Sequence, residues 1–202
     1  MSYGSVIPHA WDVYGALVEG KIVCEGYSKA IVYLCHCVGI NATTVSGYSD
    51  NVRHMWNAVQ IQNAWYMLDA TWNDAELEVP VYTYFNITTS ELERTHIIST
   101  QLIYPICTAT ENSFINVYAL DVANHTLPSN YKTFIDRVIT NNEKYLILNI
   151  GSDGTTMKFL RENFVSPQAP VIQYLKEQGY RVEISLSYVP IGNLLYLTLI
   201  YR

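Results

Sequence analysis

The chain has 202 residues, of which half are hydrophobic and 15% charged, a balance that excludes disorder and a coiled coil. Acids outnumber bases by 18 to 12, for a net charge of −6, so the basic footprint of a nucleic-acid-binding protein is missing. No apolar run approaches the roughly 18 residues of a membrane span, and no charged start leads into an apolar stretch as in a secretory signal. Seventeen Tyr within 13% aromatics point instead to a compact, strand-containing fold.

Residues 1–18 read as an irregular lead-in that runs into an apolar patch from Tyr14 to Val18. Gly20 and Gly26 then bracket Lys21-Ile22-Val23-Cys24-Glu25. From Glu25 to about Val38, Ala30, Ile31, Leu34, Cys35 and Val38 recur at steps of three and four, which predicts a helix that Gly39 stops. Asn41 to Ser46 is a short Thr- and Val-rich strand, and residues 47–53 form a polar loop. Two strand-like runs come next, His54 to Ile61 and Ala64 to Thr71, joined by a two-residue turn at Gln62-Asn63. Residues 72–104 are looser, with a helical turn near Thr89 and capping-box spacing at Ser90 and Glu93.

The texture changes after Pro105. A strand over 113–122, an amphipathic helix over 131–142 and a buried strand from Tyr145 to Ile150 precede helical stretches near 155–163 and 168–178. Strands over 180–188 and 194–201 close the chain across a turn at Pro190 to Asn193. The alternation predicts two domains, residues 1–105 and a second small α+β unit over 106–202. Gly151-Ser152-Asp153-Gly154 lacks the length and the Lys of a phosphate loop and is read as a turn.

Four cysteines, Cys24, Cys35, Cys37 and Cys107, are too few for a disulfide framework and lack a Cys-x-x-Cys pair. Cys35-His36-Cys37 sits on a helix, where successive side chains diverge and cannot converge on one ion. No metal and no cofactor is called for. Cys24 is different, because it lies where a Gly-bracketed loop becomes a helix. Unpaired N–H groups and partial positive charge at a helix start favour the thiolate, and they are placed to receive the oxyanion of a tetrahedral intermediate.

A cysteine nucleophile needs a His to exchange its proton and a third group to orient that His. With Gln62-Asn63 as a tight turn, Ile61 faces Ala64 and Trp56 faces Asp69, so His54 and Asp69 become diagonal neighbours on one face. A turn one residue longer would send them to opposite faces. Cys24, His54 and Asp69 are therefore the candidate catalytic residues. Each has a plain alternative as a buried thiol, a strand-start His and a turn-opening Asp. His9, His36, His96 and His125 have no comparable setting, and among them His96, after a helical segment, is the one within reach of the site, ranked behind the three candidates.

Three stretches carry a resemblance: Tyr14 to Tyr27 around Cys24, His54-Met55-Trp56-Asn57-Ala58-Val59, and Trp65 to Asp74 around Asp69. Together they resemble the nucleophile, histidine and aspartate segments of the transglutaminase-like superfamily in its bacterial branch, over roughly residues 14–74. The resemblance implies an α+β fold with a papain-like core, in which a helix bearing Cys24 packs on an antiparallel sheet bearing His54 and Asp69. The second domain is similar to carboxyl-terminal extensions of unknown role. Family members carry an additional helix upstream, so the resemblance implies a fragment of a longer protein, secreted or cell-envelope-attached in a bacterium. Tyr3 is the upstream candidate for the oxyanion site, and Trp56 and Trp72 are candidates for walls of the cleft or core. The implied activity is acyl transfer at an amide through a Cys24 thioester, with hydrolysis of peptides or cell-wall peptides as the first expectation. Protein cross-linking by transamidation, and a binding scaffold without turnover, stay open beside it. The expected partner is a peptide or protein substrate.

Overall fold

The computed structural model describes residues 8–74, 81–101, 103–151, 157–189 and 194–201. Two compact units divide the chain, Met1–Phe114 and Ile115–Arg202. In the first, a π-helical turn at Gly15–Glu19 leads to the helix α1 (Cys24–Cys37). Val23 takes up extended backbone as its N-cap, and Gly39 at φ 77° ends it in the left-handed region, as the sequence predicts. Strands β1 (Ala42–Ser49), β2 (Val52–Ile61) and β3 (Ala64–Leu68) form consecutive antiparallel hairpins.

The short elements α2 (Ala70–Asn73), β4 (Phe85–Ile87), α3 (Thr89–Leu92) and β5 (His96–Ile98) complete the unit. The sheet has the order β4-β3-β2-β1-β5 and is antiparallel throughout.

Three local expectations change. Residues 47–53 are no loop. Only Asp50 and Asn51 turn, both at positive φ (50° and 61°), and the strands run up to them on either side. The type of turn demands two left-handed residues, which Asp and Asn tolerate. Strand β3 stops at Leu68 because the Asp69 carboxylate accepts the Trp72 N–H and starts α2. The capping box lies two residues earlier than expected. Thr88 accepts from the Glu91 N–H while the Glu91 carboxylate accepts from the Thr88 N–H, which is the reciprocal pairing that Ser90 and Glu93 do not make.

Helix α1 packs on β1 and β2, and its hold on the sheet is specific. Asn57, buried in β2, donates through Nδ2 to the Ser28 carbonyl at 2.9 Å and the Thr43 carbonyl at 3.3 Å. The Val23 N–H donates to the Ala10 carbonyl at 3.0 Å, which brings the lead-in across the first turn of α1. A Cβ on Gly26 would come within 2.7 Å of that same carbonyl. On the sheet, a Cβ on Gly47 would come within 2.0 Å of the Ile97 carbonyl, so only glycine lets β5 pair this closely with β1. Trp56, Tyr66 and Met67 are fully buried.

The first unit extends past the texture change at Pro105. Cys107 exchanges backbone and side-chain hydrogen bonds with Thr89, Asn112 donates to the Tyr66 hydroxyl at 3.1 Å, and Phe114 stacks on Tyr82 with centroids 4.2 Å apart. These ties place residues 107–114 in the first unit.

The helix α4 (Phe114–Tyr118) starts on the last residue of the first unit, and the second unit holds the rest of it with β6 (Ala119–Asp121), α5 (Tyr131–Thr140), β7 (Tyr145–Asn149), α6 (Met157–Leu160), α7 (Pro170–Glu177), β8 (Val182–Val189) and β9 (Leu194–Tyr201). The expected strand over 113–122 is a helical turn leading into a three-residue strand. Its apolar run (Phe114, Ile115, Val117, Tyr118) does not separate a strand from a short helix by periodicity. The sheet order is β6-β7-β9-β8, with β6 and β7 parallel and the rest antiparallel. Its core gathers Leu120, Ile135, Leu146, Phe164, Leu175 and Leu197, all fully buried. The turn at 190–193 and residues 152–154 of the Gly151 run lie outside the described residues. No helix among the described residues is long and apolar enough to cross a membrane.

Candidate active site

Cys24 is the first residue of α1, so its thiol stands where helical N–H groups have no intrahelical partner. His54 and Asp69 come from the β2–β3 hairpin. Gln62 and Asn63 both take positive φ (50° and 69°), Ile61 pairs with Ala64, and the register runs unbroken to Asn57 and Leu68. The tight turn thus puts His54 and Asp69 on one face, and His54 Nε2 lies 2.6 Å from Asp69 Oδ2. An ionised carboxylate only accepts, so Nε2 carries the proton and Nδ1 is the nitrogen left over, while Cys24 and His54 are near enough to shift each other's pKa.

These neighbours set the electrostatics. Burial is the largest influence on the Cys24 thiol and pushes its pKa up. The hydrogen bond and charge of His54, with the backbone N–H groups of Met55 and Glu25, outweigh it and bring the thiol below its ordinary value. Burial alone would likewise lower the His54 imidazole, but hydrogen bonds and charge from Asp69 and Cys24 raise it to about 9. Both directions favour a thiolate–imidazolium pair. The other half-buried and buried thiols go the opposite way: burial pushes Cys35 up and Cys107 up to about 11. All four cysteines are free thiols.

Asp69 is fully buried, a costly place for a charge, and burial pushes its carboxyl pKa up. Three donors overcome this and hold the group below its ordinary value: His54 and His96 at Oδ2, and the Trp72 N–H at Oδ1, 3.1 Å away. His96 Nε2 lies 3.0 Å from the same oxygen as His54 Nε2. Sequence reasoning allows His96 to approach the site but ranks it behind the three candidates. Its strand β5 has three residues and reaches the site only by pairing with β1, a long-range event with no local signal.

His54, Asp69 and His96 are the one described group of ligand-type side chains whose donor atoms gather within 4.8 Å. Their separations of 2.6 and 3.0 Å are those of N–H···O hydrogen bonds, so the three groups satisfy one another.

A cleft of about 640 Å³ opens over Cys24 and His54, walled by Trp11, Val23 and Glu25 on the helix side and by Tyr48, Arg53 and Met55 on the hairpin side. Ser46, Gly47, Val52, Ser99 and Gln101 complete its lining. Trp56 is wholly buried and stacks on the His54 ring at 5.9 Å, while Trp72 touches Tyr84 and His96, so both lie behind the site and Trp11 is the tryptophan at the cleft. Tyr3 lies outside the described residues.

The model of the transglutaminase-like superfamily matches residues 1–70, the stretch that carries Cys24, His54 and Asp69. Residues 1–70 carry a transglutaminase-like domain. The chain is also 31% identical over 64 residues to the kyphoscoliosis peptidase of Mus musculus and to that of Homo sapiens. Each match covers 26% of this chain and 10% of the relative, so the chain spans a tenth of the curated relatives. Both relatives are mammalian proteins, and neither finding carries the bacterial and cell-envelope expectation.

Proposed function

We propose that the first unit is a thiol-dependent acyl-transfer enzyme on a papain-like core, acting at amide bonds with Cys24 as nucleophile, His54 as acid and base, and Asp69 as its orienter. The observation that carries this reading is the convergence of Asp69 Oδ2 on His54 Nε2 at 2.6 Å, with Cys24 at the start of a helix and His54 lining one cleft and each shifting the other's pKa. The Cys24 thiolate attacks the amide carbonyl carbon, and the electron pair of the C=O bond moves to oxygen. N–H groups of the first turn of α1 are available to that oxyanion. The His54 imidazolium gives its proton to the amide nitrogen as the C–N bond breaks, and the amine leaves a thioester on Cys24. A water then attacks the thioester while His54 takes its proton. The C–S bond breaks, the acid departs and the thiolate is restored.

Hydrolysis is favoured over transamidation by the name of the relatives, a peptidase, and by a cleft wide enough to admit water. The substrate class is then a peptide or protein amide. The test is incubation with a peptide library, with and without an added primary amine, and then mass spectrometry of products and enzyme. Free carboxyl products, together with a Cys24 acyl adduct, support the proposal. Amine-coupled products in place of acids would move the assignment to transamidation, and undiminished turnover by Cys24→Ala would place the nucleophile elsewhere.

A further inference from the structure

The acyl-transfer chemistry uses only one of the two imidazoles bound to Asp69. His96 is 1% exposed and sits in an aromatic box, with ring centroids 5.1 Å from Trp56, 5.1 Å from Trp72, 5.4 Å from Tyr84 and 5.5 Å from His54. A phenyl ring would fill such a box. What a phenyl ring lacks is two nitrogens at fixed ends, and here both are engaged. Nε2 is 3.0 Å from Asp69 Oδ2, and Nδ1 is 2.8 Å from Thr95 Oγ1. Thr95 Oγ1 in turn lies 3.1 Å from the Tyr84 hydroxyl.

We infer that His96 is a positioning residue for the Cys24–His54–Asp69 site, fixing the Asp69 carboxylate from behind so that His54 keeps its Nε2 proton and turns Nδ1 to Cys24. The inference rests on the acyl-transfer reading above. The capping of α2 needs only Oδ1 and the Trp72 N–H, which leaves Oδ2 free to swing. His96 removes that freedom, because Oδ2 is pinned between two ring N–H groups. The second donor also disperses the charge of a fully buried carboxylate and keeps it an acceptor. The tautomer of His96 is set by its far end. The Tyr84 O–H donates to Thr95, the Thr95 O–H donates to His96 Nδ1, and the His96 Nε2–H donates to Asp69, with each proton used once. The competing acceptor of the Thr95 proton, the Leu92 carbonyl, is farther away at 3.3 Å. The groups facing His96 are thus Asp69, His54, Tyr84 and Thr95, together with the two indoles.

The experiment measures the rate of Cys24 alkylation by iodoacetamide from pH 5 to 9 on the full chain, resolved by peptide mass spectrometry, with thermal melting as the check of folding. In His96→Phe the rate at pH 7 should fall at least about tenfold, and its rise with pH should move toward that of an ordinary thiol. In His96→Gln, whose amide N–H can replace Nε2–H, the rate should stay within about threefold of the parent chain. A parental profile in folded His96→Phe overturns the inference, as does an equal loss in His96→Gln, which would mean that ring packing alone matters. Should His96→Phe fail to fold, Thr95→Val keeps the ring and removes its Nδ1 partner. A measurable loss supports the chain and an unchanged profile overturns it. The parent reading fails separately: if Cys24 alkylates no faster in the unsubstituted chain than in His54→Ala, the acyl-transfer site itself falls and this inference with it.

Discussion

Cys24 carries a thiol whose neighbours decide its chemistry. Cys35 and Cys107 have no His beside them among the causes of their shifts, and burial pushes both up while Cys24 moves down. The proposed reaction needs thiolate and imidazolium together, and that fixes its dependence on pH. Activity should rise with pH as Cys24 loses its proton, below the ordinary thiol value. It should then fall as pH climbs through about 9, where His54 loses the proton it gives to the leaving amine. A pH–rate profile on a peptide substrate checks this, and a rate still climbing beyond pH 10 would contradict it. Asp69→Asn should keep the fold and lower turnover by several orders of magnitude, about 10⁴-fold in the serine analogue, because the asparagine can present N–H to His54 and reverse its tautomer. Steady-state kinetics with circular dichroism measures both halves of that statement. Cys24, His54 and Asp69 were readable as candidates because each has a local setting: a helix start, and two sides of a tight hairpin. His96 and the cleft residues Trp11, Tyr48 and Arg53 have none, since only the folded pairing of β1 with β2 and β5, and the lead-in laid across α1, assemble them.

At the level of elements, the site hangs on the β2–β3 turn, and this was legible because the side-chain period of a strand is two. The register that Gln62-Asn63 sets is the one in the structure, down to the pairing of Ile61 with Ala64. The β1–β2 turn went unread, since Asp50-Asn51 lies within a polar stretch that looks the same whether it loops or turns. Strands β4 and β5, at three residues each, are too short for any periodicity to show. The left-handed residues offer a test of the turn. Asn63 sits at φ 69°, which glycine adopts without cost, so Asn63→Gly should raise stability by roughly 0.5–1 kcal/mol and leave Cys24 reactivity unchanged. Urea unfolding of the two chains measures the difference, and a loss of more than about 1 kcal/mol would show that the Asn63 side chain does something in the turn that its backbone angle does not reveal.

For the whole molecule, the sequence marked two units but not where one ends. Pro105 is where composition changes, yet Cys107, Asn112 and Phe114 are bonded or stacked to Thr89, Tyr66 and Tyr82. Such ties are invisible in a linear reading because their partners lie far up the chain. They make a prediction about dissection. A chain of residues 1–114 should unfold cooperatively and retain activated Cys24, whereas one ending at 105 should melt lower, having lost those contacts. Residues 115–202, with a fully buried core of their own, should give a separate cooperative melt. Thermal melting by circular dichroism decides it. Equal melting of the two amino-terminal pieces would show that residues 106–114 contribute nothing to the first unit.

Whether His54 holds Cys24 as a thiolate is the central question, and accessibility offers a sharp contrast, because Cys37 is exposed while Cys24 is half-buried. The direct measurement is competitive labelling of the folded chain with a limiting thiol reagent at pH 6.5, read by peptide mass spectrometry in the unsubstituted protein and in His54→Ala. Cys24 should label well ahead of Cys37 in the first and lose that lead in the second. Labelling that tracks exposure, with Cys37 ahead of Cys24 in both proteins, would contradict an activated Cys24.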